Sequence, residues 1–173
     1  MTLILVLGGL LVVLGAVLYN RLVQDRNRVD SAWSDIDVQL QRRHDLVPRL
    51  VEAVKQYASY EQATLEAVTE LRSKALQLDN IEQLGDVEST LFEGLNRLVA
   101  LAEQYPDLKA SSKFLELQEE LVETENYLQF ARRYYNGAVR QLNTRIETVP
   151  SNLVAGMFGF TSRPFFQKAS DSA

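Results

Sequence analysis

The chain has 173 residues, a formal net charge of −5 and no cysteine. Disulfides, zinc–thiolate sites and thiol catalysis are therefore excluded, and an acidic chain lacks the basic face that nucleic acid selects. Leu, Val, Ala, Glu, Gln and Arg are abundant while Gly and Pro are few, which is a helix-forming composition.

Residues 1–20, MTLILVLGGLLVVLGAVLYN, contain no charged side chain, so the whole net charge belongs to the rest of the chain. The apolar run Thr2–Tyr19 is about 18 residues, which as a helix reaches ~27 Å, roughly the hydrocarbon core of a bilayer. The sequence thus divides into an anchor over 1–20, a body over 21–149 and a tail over 150–173 that ends in a frayed polar stretch from Lys168 to Ala173. The competing reading is a cleaved signal peptide, which needs a basic start, a shorter apolar core and small residues at the cleavage site. No Lys or Arg precedes the run, Leu14 spoils the small-residue site at Gly15-Ala16, and no turn signal follows Asn20. A retained anchor is the favoured expectation. Arg21, Arg26, Arg28, Arg42 and Arg43 all follow the span, so the positive-inside rule expects a single pass of the inner membrane with the body cytoplasmic. Gly8 and Gly15, seven apart, can share a helix face that suits close approach of a second copy; passive placement in the span is the alternative reading.

After the anchor, apolar residues recur at spacings of three and four. One series is Val29, Trp33, Ile36, Leu40, Val47, Leu50, Val54 and Tyr57, continued by Leu65, Val68, Leu71, Ala75 and Leu78. That is the helix period held over many turns. Trp33 is the expected core anchor of this stripe. Pro48 removes a donor and clashes one turn back, so a kink or break is expected near Asp45–Pro48, with Asp45 capping the second segment. Leu78-Asp79-Asn80 ends this helix. A third runs from about Asp86 to Gln104, with Val87, Leu91, Leu95, Leu98 and Ala102 on one face, until Tyr105-Pro106-Asp107 stops it. Ser111 or Ser112 caps a fourth, whose stripe is Phe114, Leu117, Leu121, Leu128, Ala131, Tyr135, Ala138, Leu142 and Ile146, and which ends at Val149-Pro150. No strand pattern competes. Helices with one apolar stripe bury it against each other, and short connections make antiparallel neighbours. The fold expected is all-α: a transmembrane helix followed by an elongated antiparallel bundle of three to four long helices.

The chain resembles the bacterial LemA family. The resemblance rests on YNRLVQDRNRVDSAWSDIDVQLQRRHDLVPRLVEAVKQYASYE, on EQYPDLKASSKFLELQEELVETENYLQFARRYYNGAVRQLN and on the ending VPSNLVAGMFGF, which together cover most of the sequence. It implies an N-terminal span and a helical-bundle body. It brings no catalytic residues and no generally established activity; some relatives serve as assembly or organising factors at specialised bacterial membranes.

Residues suited to chemistry are sparse. A di-iron bundle needs Glu-x-x-His on two helices, whereas the only histidine, His44, is preceded three positions earlier by Gln41. Neither GxSxG nor a phosphate-cradling glycine motif occurs. No catalytic, cofactor or metal residue is expected. Polar groups do interrupt the stripes, namely Arg43, Glu61, Thr124 and Glu125, with Asn126, Arg132, Arg133 and Asn136 close by. A buried charge must be paired, so these groups are expected to form an inter-helix seam that fixes register; lining a ligand or partner site is the alternative. The tail gathers Met157, Phe158, Phe160, Phe165 and Phe166, either folded back over the bundle end or presented as an apolar docking patch. The functional expectation is a membrane-anchored, non-enzymatic scaffold that contacts the bilayer, a protein partner and, as one option, further copies of itself. A signalling module, or an accessory subunit of a membrane enzyme such as a protease, is the alternative.

Overall fold

A computed structural model describes residues 1–166. Within them the chain is all-α, with no strand among the described residues. The elements are α1 (Thr2–Lys55), α2 (Gln62–Ala75), α3 (Ile81–Leu101), α4 (Pro106–Lys109), α5 (Ser112–Glu147) and α6 (Ser151–Phe158). Expectations for the tail end from Lys168 to Ala173 lie outside the described residues.

The expected break at Pro48 does not occur, because α1 runs unbroken through it and Asp45 sits mid-helix instead of capping a new one. Proline cannot donate to the carbonyl four residues back, here that of His44. The Nε of Arg72 donates to that oxygen at 2.7 Å instead, which leaves no orphan acceptor. The chain turns at residues 56–61, where Tyr57 and Ala58 both donate to the Val54 carbonyl at 3.0 and 2.8 Å.

The third helix also starts earlier than its sequence suggests. Asn80 is its N-cap: the side chain accepts from the amides of Glu82 and Gln83, both at 3.0 Å. Gly85 thereby falls inside the helix and is buried. Pro106 ends the following turn as expected, since it opens α4 as its first residue. In α3, Gly94 faces α2 closely enough that an added Cβ would meet Val68 Cγ2 at 3.0 Å. A residue without a side chain is what lets these two helices approach.

Two compact units make up the chain. The first joins Met1–Asp35 to Arg133–Phe165, and the second joins Ile36–Arg132 to Phe166. In the first, residues 25 and 28 of α1 bond Gln141 while Trp33 meets Tyr135, so α1 and α5 run antiparallel there. In the second, Arg42 pairs with Glu123 and Arg49 with Glu120, the same antiparallel sense. The second unit holds the main apolar core, from Leu46, Leu50 and Val54 of α1 through Leu65 and Val68 of α2 and Leu91, Leu95 and Leu98 of α3 to Phe114, Leu117 and Leu121 of α5.

The buried stripe of α1 is Leu22, Asp25, Val29, Ala32, Ile36, Leu40, Arg43, Val47, Leu50 and Val54. Ala32, not Trp33, occupies the central row. Trp33 stands beside it, half-buried, with its ring edge-on to the buried Tyr135 at 5.5 Å between centroids. The apolar start of α1 is exposed throughout its most hydropathic window and is long enough to cross a membrane.

Candidate functional site

In the second unit the polar interruptions of three helices meet. Arg43 of α1 is 1% exposed and Glu88 of α3 is fully buried. One guanidinium nitrogen of Arg43 donates to Glu88 Oε2 at 2.7 Å and to the Glu88 main-chain oxygen at 3.2 Å. Its other terminal nitrogen pairs with Glu125 of α5. The second oxygen of Glu88 lies 2.5 Å from His44 Nε2. The Phe92 ring covers the guanidinium, 5.7 Å from its centroid. The helix period explains the meeting: residues 43 and 44 follow Leu40 and precede Val47 on the inward side of α1, and Glu88 precedes Leu91 and Leu95 on that of α3.

The electrostatics favour a closed network. Two carboxylates flank one guanidinium, and an imidazole meets the other oxygen of Glu88, so the positive charge between the acids is the protein's own. Burial pushes the Glu125 carboxyl above the ordinary glutamate value, opposed by the charges of Arg43 and Arg132 and aided by the nearby Glu88. The two terminal nitrogens of Arg43 are engaged while its buried Nε has no hydrogen-bond partner; such a buried pair can set register, but removal of one member strands a charge in low dielectric.

The remaining seam candidates are placed differently. Arg132 lies with its guanidinium 5.0 Å from the Phe166 ring centroid. Glu61 sits half-buried at the N-cap of α2, without a side-chain capping bond, because the chain turns there instead of continuing a helix. Asn126 and Arg133 are exposed, and Asn136 is half-buried. Glu88 and His44 lie outside the expected seam, although Glu88 keeps a spacing of four and three to Leu84 and Leu91, and His44 to Leu40 and Val47, which is a usable signal.

A second polar group, also absent from the candidates, holds the first unit. Asp25 of α1 is buried, pairs with Arg145 and accepts from Gln141 Nε2 at 3.0 Å. The tail folds against this unit. Asn143 and Arg163 exchange two bonds of 2.9 Å, and Arg163 reaches Asp30 at 3.2 Å. Tyr135 donates to the Pro164 carbonyl at 2.9 Å, and burial raises its phenol above the ordinary value. Among the apolar residues of the tail, Phe166 is buried, Phe160 and Phe165 are half-buried, and Met157 and Phe158 are exposed.

These features describe an all-α protein with a membrane-length apolar helix, an interlocked polar core and no assembled catalytic group among the described residues. The chain belongs to the LemA family, whose family model matches residues 32–173. It is 30% identical over 150 residues to the protein LemA of Metamycoplasma hominis, an alignment covering 86% of this chain and 68% of that one. It is 25% identical to magnetosome protein MamQ 2 of Paramagnetospirillum magneticum, covering 87% of this chain and 65% of the relative. Magnetosome protein MamQ of Magnetospirillum gryphiswaldense is 23% identical over the same shares. The chain therefore spans about two thirds of the length of the curated relatives it matches.

Proposed function

We propose that this chain is a membrane-anchored, non-enzymatic scaffold whose helical body is held at the cytoplasmic side of the bilayer to gather a protein partner, a second copy of itself included. One observation carries the reading. The polar residues that would serve a catalyst are engaged with each other: Arg43 pairs with Glu88 and Glu125, and Glu88 with His44. The continuity of α1 from the charge-free span to Lys55 supports it, because anchor and first body helix are one element. Relatives named as magnetosome proteins fit an organising role at a membrane.

Cross-linking in native membranes, followed by affinity purification and mass spectrometry, tests the scaffold. A reproducible partner or a cross-linked second copy is expected; recovery of the uncross-linked chain alone would overturn the proposal. The orientation has its own test. A reporter active only outside the cytoplasm, fused after Ala173, should stay silent, and strong activity would reverse the topology.

A further inference from the structure

The tail helix α6 is short and carries no charge, and the whole stretch 148–162 has no Asp, Glu, Lys or Arg. Its inner side is already satisfied. Ser151 and Ala155 are buried, and the Ser151 hydroxyl donates to the Thr148 carbonyl at 3.1 Å. Gly159, at φ +71°, closes the helix in the left-handed conformation, and the Phe160 amide returns to the Ala155 carbonyl at 2.9 Å. The segment beyond is held by the Asn143–Arg163 and Tyr135–Pro164 bonds. Nothing in that scheme needs Val149, Leu153, Met157 or Phe158, yet these four stay largely exposed, at 79%, 70%, 80% and 58%. Leu153 and Met157, four apart in α6, share one outward side of the helix, and Val149 stands exposed in the turn that leads into it.

The location of this apolar side identifies what covers it. Phe158 packs its ring on Tyr19, 4.8 Å between centroids, and Phe160 packs on the same tyrosine at 5.8 Å. Tyr19 is the last residue but one of the charge-free run, and Arg21 is the first charge after it. The end of α6 therefore lies at the depth where the span leaves the hydrocarbon. Aromatic rings at that depth, with a cation over Phe160 supplied by Arg26 at 5.5 Å, are the side chains of a membrane–water interface. The link between α6 and the span is the Tyr19–Phe158 ring contact, and both partners keep exposed surface.

We infer that α6 is a second membrane contact: a monotopic interfacial segment that lays Val149, Leu153, Met157 and Phe158 into the headgroup–acyl boundary beside the exit of α1. The inference rests on the anchored reading of residues 1–20. It confines the apolar surface to these residues and leaves out Phe160, Phe165 and Phe166, which are half-buried or buried.

The absence of cysteine makes the test direct. Leu153→Cys and Met157→Cys in the full chain are labelled with an environment-sensitive fluorophore and reconstituted in phosphatidylethanolamine–phosphatidylglycerol vesicles. Val12→Cys in the span and Tyr60→Cys, at a site 96% exposed, are the references. Labels at 153 and 157 should emit to the blue of the label at 60 and be quenched by lipids carrying a shallow nitroxide. A blue shift without lipid quenching would mean that a second copy covers α6, and would overturn the inference. Emission and quenching like those at 60 would place α6 in water and overturn it too. Quenching at 12 by a deep nitroxide shows separately that the anchor is inserted, so failure of α6 and failure of the anchor are distinct results.

Discussion

Arg72 supplies the hydrogen bond that Pro48 denies to His44. Its Nε lies 2.7 Å from the His44 main-chain oxygen, the acceptor one turn before the proline. A side chain of α2 thus stabilises a proline inside a 54-residue helix. Arg72→Ala should leave that carbonyl unsatisfied at a cost of about 1–3 kcal/mol. Pro48→Ala restores an amide donor at the same place, so Arg72→Ala should cost less in that background. A double-mutant cycle on thermal unfolding in detergent measures the coupling. Additive losses would mean that Arg72 acts without reference to the proline.

Arg43 and Arg42 are neighbours with opposite consequences. Arg43 pairs with fully buried Glu88, whereas Arg42 and Glu123 are about half-exposed partners at 2.8 Å. Arg43→Met should cost ~3–5 kcal/mol by stranding a buried carboxylate. Arg42→Ala should cost under about 1 kcal/mol. Equal losses in denaturant unfolding would show that the network around Glu88 is not closed to water.

The helices were largely legible in the sequence because each buries one stripe at the helix period. Leu84, Glu88, Leu91, Leu95 and Leu98 keep that period in α3, and Glu88 is hidden in it only by its polarity. Asp25 is hidden likewise between Leu22 and Val29. What periodicity cannot supply is the partner in another helix. The donor of Arg72 to His44, the meeting of Glu88 with Arg43 and the pairing of Asp25 with Arg145 depend on tertiary placement, as does the survival of α1 past Pro48. Glu61 illustrates the opposite error. It falls on an extrapolated stripe, but the chain turns at that point and the extrapolation fails.

Trp33 shows how one residue of phase alters an energy. Full burial of the indole would make its loss worth about 3–5 kcal/mol. Half-buried beside Ala32, it should lose less, about 1–3 kcal/mol for Trp33→Ala. Tyr135→Ala should be the more damaging change, since that ring is buried and its hydroxyl holds the Pro164 carbonyl at 2.9 Å. Melting temperatures of the two variants in the same detergent compare them directly. A larger loss at Trp33 would contradict the placement of its ring at the edge of the core.

Glu125 should give the protein a pH-dependent stability of unusual sign for a salt-bridged acid. Burial, the strongest influence, holds its carboxyl above the ordinary 4.5, against the pull of Arg43. The folded chain therefore binds this proton more tightly than the unfolded chain. Such a group contributes stability that is fully present below the unfolded value and is lost as pH rises through the raised folded value. Each tenfold difference in proton affinity between the two states is worth ~1.4 kcal/mol. Above that window Glu125 is ionised in a partly buried place beside Arg43, which also pairs with Glu88. Glu125→Gln keeps an acceptor for Arg43 and cannot ionise. Its melting temperature relative to the unsubstituted chain should therefore rise as pH is raised from 4.5 through the window, reaching a plateau once Glu125 is ionised. A relative melting temperature that is flat, or that falls over this range, would mean that pairing with Arg43 outweighs burial at this carboxyl.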